Sequence, residues 1–273
     1  MIYRKLLANA AAQSDDTRIA AADLDGFTRE PAAESGVAQL DEMVGMEHIR
    51  DRILEMVAQV QTQKELAESG RFPERPCLHM RFVGSPGTGK TTVARIVGRI
   101  LKEKGILEIG NFYEVSGRSL CGRYVGETAP KTSEICRSAY GSVLFIDESY
   151  SLYAGDDNSR DYGKEAIDTL IAEMENNRDK MVVIMSGYPD EMEVLMKANP
   201  GLAGRMPYEI HFPNYSREQL TRIFLNMAGK AFDFDEPFRE AAASFFGSVS
   251  DAQYKAKNFS NARLARNLYE RVW

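Results

Sequence analysis

Short apolar runs alternate with helical periodicity through the middle of the chain. The apolar runs cover residues 79–84, 111–116, 142–148, 181–187 and 208–212. The helical stretches between them cover about residues 90–104, 129–140, 163–178 and 189–198. Several runs are apolar at consecutive positions, as in VLFI, which is typical of strands buried on both faces. Alternation of such strands with helices predicts an α/β fold, a five-stranded parallel sheet with helices on both faces.

The flanking regions have helical patterns. Ile49, Ile53, Met56 and Val60 are spaced as on one face of a helix that ends near Gly70. Beyond residue 213 the strand pattern stops, and residues 216–232, 236–249 and 260–273 all read as helices. Ser216 and Ser260 are the predicted N-caps of the first and last of these helices.

Three regions follow from these patterns. Residues 1–39 are Ala-rich and without strong periodicity, which predicts an extension of one or two helices or disordered chain, followed by a linker. Residues 40–213 form the predicted large α/β domain, and residues 214–273 a small all-α domain.

Composition excludes several classes of protein. Forty acidic and 34 basic residues give a net charge of −6, which argues against sequence-independent nucleic-acid binding. No stretch approaches the roughly 20 apolar residues of a membrane span. The three cysteines have no C-x-x-C spacing, so neither a disulfide framework nor a zinc site is indicated, and we expect a cytoplasmic protein.

Residues 84–91, GSPGTGKT, fit the phosphate-loop pattern G-x-x-x-x-G-K-[ST]. They follow a predicted strand and open a predicted helix, so backbone N–H groups and the helix N-terminus can surround a phosphate. The predicted nucleotide-binding residues here are Ser85, Pro86, Gly87, Thr88, Gly89, Lys90, Thr91 and Thr92. Lys90 would reach the terminal phosphates of ATP, and the Thr91 hydroxyl would ligate Mg²⁺.

Two carboxylates follow the apolar strand VLFI. Ligands of open α/β sheets lie at the carboxyl ends of the strands, where Asp147 and Glu148 stand. We expect Asp147 to hold Mg²⁺, directly or through water, and Glu148 to polarise the water that attacks the γ-phosphate.

These stretches resemble the AAA+ ATPases. They resemble one branch of that family, which contains the stage V sporulation protein K ATPases, the red-type rubisco activases and the type VII secretion ATPases. Within this branch, the sequence looks most similar to the sporulation group. The stretches that carry the resemblance are GRYVGETAPKT (122–132), LFIDESYSLY (144–153), RDYGKEAIDTL (160–170), VVIMSGYPDEM (182–192), NPGLAGRM (199–206) and FSNARLARNLYER (259–271). Residues 1–39 lie outside the resemblance.

The resemblance implies further roles by position. Arg205 corresponds to the arginine finger, which enters the neighbouring subunit's site, and Arg263 to the sensor-2 arginine. Val44 and Gly45 correspond to the segment beside the adenine. Sensor 1 is left open between Ser186 and Tyr188, since Ser-Gly-Tyr stands where many AAA+ proteins have Asn or Thr.

The resemblance also implies pore loops and a ring. Tyr124, Val125 and Gly126 correspond to the first pore loop, and residues 154–161 to the second. Gly204 stands where the branch often has Ser, and relatives usually continue beyond the sensor-2 helix, so we expect a minimal or truncated lid.

The sequence therefore predicts an Mg-ATP-dependent hydrolase. We expect a homo-oligomer, a hexamer, that remodels or partly threads a protein client through its central pore. Two alternatives stay open: a nucleotide-dependent docking switch without threading, and a remodeller like the rubisco activases. A DNA-acting AAA+ protein is disfavoured because the chain is acidic and lacks a recognisable nucleic-acid module.

Overall fold

A five-stranded parallel sheet forms the centre of the computed structural model, which describes residues 35–70, 77–153 and 157–272. The strands are β1 (Met80–Gly84), β2 (Phe112–Ser116), β3 (Val143–Asp147), β4 (Val182–Gly187) and β5 (Tyr208–Phe212). Their order in the sheet is β2-β3-β4-β1-β5, and all four pairs are parallel. The predicted fold class and strand positions are confirmed. The carboxyl ends of all strands meet at one edge, which positions the site.

Helices cover both faces of the sheet. Those up to β5 are α1 (Gly36–Asp41), α2 (Glu47–Glu68), α3 (Lys90–Glu103), α4 (Thr128–Ser138), α5 (Asp157–Asn176), α6 (Pro189–Ala198) and α7 (Pro200–Gly204). Short 3₁₀ turns at Gly117–Leu120 and Ser149–Leu152 follow β2 and β3. Helix α5 begins before the predicted residue 163, so residues 157–161, predicted as part of a pore loop, are helical. The rest of that predicted loop, residues 154–156, lies outside the described residues.

Alternate residues of the central strands β3 and β4 enter two different cores. In β3, Val143 and Phe145 pack on the side of α2 and α3, whereas Leu144 and Ile146 pack on the side of α5 and α6. All four are fully buried, which explains the uninterrupted apolar run in the sequence. The sheet is thereby held between two hydrophobic layers.

The chain after β5 is helical, as predicted. Its helices are α8 (Arg217–Ala228), α9 (Glu236–Gly247), α10 (Asp251–Tyr254) and α11 (Ala262–Val272). Ser216 caps α8 through a capping box with Gln219, which confirms the predicted cap. The predicted cap at Ser260 is wrong, because α11 begins at Ala262 and Asn261 precedes it with φ +49°. Asn tolerates this left-handed conformation better than most residues.

Packed structure begins slightly before the predicted domain start. Residues 36–39, predicted as linker, belong to α1, whose Leu40 is buried. The Gly36 N–H donates to the Glu103 carboxylate at 3.0 Å, which ties α1 to the end of α3. The predictions for residues 1–34 lie outside the described residues. Within the described ranges, no helix is both long enough and apolar enough to span a bilayer.

Candidate nucleotide-binding site

The phosphate loop, residues 84–91, links β1 to α3 at the carboxyl edge of the sheet. Gly87 and Gly89 have φ values of +69° and +95°, which side chains other than glycine rarely adopt. Gly89 is the N-cap of α3, a helix of 14 residues, so the free N–H groups of its first turn face the loop. This combination is a ready anion-binding site.

A cleft of about 400 Å³ opens above this loop, and we call it the phosphate cleft. Its lining residues are Gly84, Pro86, Gly87, Gly89, Lys90, Thr91, Thr92, Asp147, Glu148, Tyr150, Gly187, Tyr188, Ala262, Arg263 and Arg266. The predicted Ser85 and Thr88 do not line it. Thr88 is buried and its hydroxyl donates to the Ser85 carbonyl at 2.8 Å, which braces the loop internally.

The Lys90 side chain is hydrogen-bonded to the backbone of its own phosphate loop. Its Nζ donates to the carbonyls of Gly84 at 2.8 Å and Ser85 at 2.7 Å. Burial lowers the pKa of Lys90 to about 8; Asp147 opposes this shift and Arg263 adds to it. A half-buried cation with a second cation nearby favours an anionic ligand, so the cleft fits a polyphosphate.

Asp147 and Glu148 line the cleft together with Thr91. Asp147 ends β3, and its Oδ1 accepts the Glu148 N–H at 3.0 Å. Glu148 adopts a left-handed backbone with φ +48°, a strained conformation for this residue type that proteins retain mainly at functional positions. The Thr91 hydroxyl and the Asp147 carboxylate supply oxygen ligands of the kind that suits Mg²⁺.

The structure separates the two sensor-1 candidates. Tyr188 lines the phosphate cleft together with Tyr150, and the centroids of the two rings lie 5.8 Å apart. Ser186 does not line the cleft and is fully buried inside β4, where its Oγ has no hydrogen-bond partner. Of the two candidates, Tyr188 is the one that lines the phosphate cleft.

Two arginines of α11 reach the same cleft. Arg263, the predicted sensor 2, and Arg266 both line it. They stand three residues apart on the helix and so share a face. Arg266 was not among the site residues predicted from the sequence, although its i, i+3 spacing from Arg263 could have indicated it.

Arg205 lies away from the cleft of its own chain. It follows α7, its Nε donates to Glu175 Oε2 at 2.9 Å, and a second guanidinium nitrogen donates to the Gly201 carbonyl at 3.0 Å. The sequence-predicted finger is thus brought together with Glu175 rather than with Lys90 or Glu148.

A second groove continues the phosphate cleft, and we call it the side groove. Its volume is about 730 Å³, and it shares Gly89, Thr92 and Ala262 with the phosphate cleft. Val44 lines the groove, opposite residues of α8 that include Ile223 and Met227. Gly45 has φ +72°, and a side chain at this position would collide with Gln219 of α8. A flat base joined to phosphates in the cleft would fit this groove.

The segment 122–127 forms an exposed tip between β2 and α4. Tyr124 and Val125 are 71% and 90% exposed, which is unusual for an aromatic and an aliphatic residue in sequence. Gly126 has φ +86° in open space. The Glu127 carboxylate accepts the N–H groups of Arg123 and Tyr124 at 3.0 and 3.1 Å, so the tip has a defined conformation despite its exposure.

This fold and this cleft define a nucleotide-binding protein of the phosphate-loop class. Residues 80–214 match the family model described as ATPase family associated with various cellular activities (AAA). The chain is 41% identical over 258 residues to the plasmid-borne protein CbxX of Cupriavidus necator, covering 92% of this chain and 80% of that protein. The chain therefore belongs to the AAA ATPase family.

Other relatives belong to the branch that was predicted from the sequence, and this prediction is confirmed. A chloroplastic ribulose bisphosphate carboxylase/oxygenase activase of Cyanidioschyzon merolae is 40% identical over 233 residues, covering 85% of this chain and 78% of that protein. Stage V sporulation protein K of Bacillus subtilis is 38% identical over 234 residues, covering 85% and 72%. Identities this similar do not choose between the groups.

Solved structures share the fold. The FIGL-1 AAA domain in complex with ADP superposes with a TM-score of 0.57 at 22% identity, covering 78% of this chain and 69% of that chain. A chain of the Escherichia coli MS115-1 HORMA:CdnC:Trip13 complex gives a TM-score of 0.60 at 15% identity, covering 87% and 84%.

Proposed function

We propose that this protein is an Mg-ATP-dependent hydrolase that works as a ring of six copies in the cytoplasm and remodels a protein client. The observation that carries the proposal is the convergence of Lys90, Thr91, Asp147 and Glu148 on one cleft, beside a groove that suits a nucleotide base. The membership of the AAA ATPase family supports it independently.

Binding of ATP rests on groups of different kinds. The N–H groups of the phosphate loop and the first turn of α3 would surround the β- and γ-phosphates, with Lys90 and Arg263 adding positive charge. The base would lie in the side groove against Val44. Thr91 and Asp147 would hold Mg²⁺, which neutralises phosphate charge when bound.

Hydrolysis requires a positioned water and charge stabilisation. Glu148 would accept a hydrogen bond from the attacking water, and the Tyr188 hydroxyl would orient water or a γ-phosphate oxygen. Arg205 lies outside its own cleft, so it would act in the site of a neighbouring copy. An arginine supplied in this way is worth about 10³–10⁵ in rate.

The exposed tip would contact the client. Tyr124 and Val125 offer apolar surface on a tip whose conformation is fixed, which suits a grip on polypeptide in a central pore. Tyr124→Ala should leave ATP turnover unchanged and abolish remodelling. In the alternative, a nucleotide-dependent docking switch, the same variant should change neither activity.

Assembly provides the first test. Glu148→Gln should block hydrolysis and hold the ring in Mg-ATP, so light scattering should give about six times the protomer mass in ATP and less in ADP. Wild-type turnover by this variant would contradict the assigned role of Glu148. A monomer in both nucleotides would favour the docking switch.

One candidate client follows from the relatives. The similarity to an activase of ribulose bisphosphate carboxylase/oxygenase suggests that the client is an inhibited form of that carboxylase. Recovery of carboxylase activity on addition of this protein and ATP, but not with Glu148→Gln, would support this client. DNA as the target is tested by fluorescence anisotropy, where salt-sensitive binding would revive it.

A further inference from the structure

Three consecutive carbonyls of the phosphate loop accept hydrogen bonds from the C-terminal part of the chain. The Pro86 carbonyl accepts from Asn261 Nδ2 at 3.1 Å, and the Gly87 carbonyl accepts from the Ala262 N–H at 3.1 Å. The Thr88 carbonyl accepts from the Tyr215 hydroxyl at 3.2 Å. The outer side of the loop is therefore held by residues that follow β5.

Asn261 is the centre of these contacts. Its side chain is completely buried, and its Oδ1 accepts the Tyr215 N–H at 3.0 Å. Its Nδ2 also lies 3.0 Å from Asn214 Oδ1 and 3.0 Å from the Phe259 carbonyl. One amide thus joins the loop, the segment between β5 and α8, and the start of α11.

The chemistry of this position selects asparagine. Aspartate has the same shape but no N–H to donate to the carbonyls of Pro86 and Phe259. The backbone φ of +49° is also one that asparagine and glycine adopt more readily than other residues. Glycine would keep the backbone and lose every side-chain contact.

We propose that Asn261 is a positioning residue that couples nucleotide occupancy of the phosphate loop to the placement of α11. The inference rests on the proposed function. A peptide plane that turns its N–H toward a phosphate also turns its C=O, so phosphate binding fixes the direction of the loop carbonyls. Asn261 and Ala262 donate hydrogen bonds to these carbonyls and would move with them. Arg263 and Arg266 lie on the same helix as Ala262 and would move with it.

Hydrogen exchange with and without Mg-ADP tests this coupling. In the wild-type chain, ADP should protect the amides of residues 84, 85 and 87–91 and also those of 262–272. Asn261→Gly should keep protection of the loop and lose protection of α11. It should bind ADP about tenfold more weakly, because one of the side-chain hydrogen bonds that it loses, to the Pro86 carbonyl, is made with the loop itself. Its kcat should fall further than its ADP affinity, because Arg263 is no longer placed.

The matched control is Asn258→Gly, which changes an exposed asparagine of the same segment and should behave as wild type. If ADP protects α11 in Asn261→Gly as it does in the wild type, the inference is overturned, and Asn261 only shapes a turn. Asn261→Asp should fail like glycine, since it keeps the shape and loses the donor.

A second variant serves if Asn261→Gly does not fold. Asn261→Asp removes the donor to the Pro86 carbonyl, and ADP should then protect α11 less than in the wild type; full protection would overturn the inference. Failure of the proposed function is distinguishable, because wild type would then show no ADP protection in the loop at all.

Discussion

The Arg205 guanidinium is paired with the Glu175 carboxylate of the same chain, with 2.9 Å between Nε and Oε2. Both side chains are substantially exposed, at 33% and 50%, so solvent screens the pair and its contribution is about 0–1 kcal/mol. A weak, partly solvated ion pair orients the Arg205 side chain but does not prevent it from binding another anion. A neighbouring copy that brings a triphosphate could therefore compete for the same guanidinium.

Arg205→Ala should lower ATP turnover by about 10³ and leave ADP affinity unchanged. The sharper measurement mixes it with Lys90→Ala, which has a disabled site and an intact Arg205. In a ring of mixed copies, about one quarter of the sites would combine an intact cleft with a neighbour's arginine. Turnover should recover toward that fraction.

Glu175→Gln is the matched control for this mixing experiment. It removes the charge that pairs with Arg205 and should keep turnover within about threefold of wild type, since exposed ion pairs contribute little. Mixtures in which two inactive variants stay inactive would show that Arg205 does not act between copies.

The half-buried amine of Lys90 predicts a pH dependence of nucleotide affinity. Its pKa is lowered to about 8 by burial, and a bound phosphate would raise it again. Binding above pH 8 must then take up a proton, so ADP affinity should fall by about tenfold between pH 7 and pH 9.

Calorimetry in buffers of different ionisation enthalpy would measure this proton uptake directly. Lys90→Arg is the matched control, because arginine stays charged throughout this range and should bind without proton uptake above pH 8. Equal proton uptake by both proteins would assign the effect to another group.

Tyr188 and Ser186 should separate in a pair of minimal variants. Tyr188→Phe removes a hydroxyl from the phosphate cleft and should lower turnover by about 10² with little change in ADP affinity. Ser186→Ala removes a buried hydroxyl that has no partner, so turnover should persist and the free energy of unfolding should stay equal or rise by about 1 kcal/mol. Turnover assays and thermal melts decide, and the reverse outcome would make Ser186 the sensor.

Local patterns predicted the sheet, the phosphate loop and the carboxylates after β3. Their signals, apolar runs and a spaced motif, lie within a few neighbouring residues. Asn261 could not be found in this way, because its partner Pro86 is 175 positions away in the chain and only the fold joins them. The choice between Ser186 and Tyr188 likewise depends on which side chain faces the cleft.

A buried histidine beside the sheet predicts a loss of stability in mild acid. His79 immediately precedes β1 and is fully buried, with its Nδ1 accepting the Val183 N–H at 3.0 Å and its Nε2 lying 3.3 Å from the Met174 carbonyl. This arrangement requires the neutral ring protonated at Nε2, since a charged ring would offer Val183 a donor instead of an acceptor.

Burial lowers the pKa of His79 to about 4, below its ordinary value of 6.5. Between these values the unfolded chain binds a proton that the folded chain does not, so stability falls as the pH falls through this window. From pH 7 to pH 5 this residue should cost about 2 kcal/mol of unfolding free energy. His79→Gln can donate and accept at the same two partners without titrating, so the difference between its free energy of unfolding in urea and that of wild type should shift by this amount over the same range. A difference that is independent of pH would mean that the ring titrates alike in the folded and unfolded states.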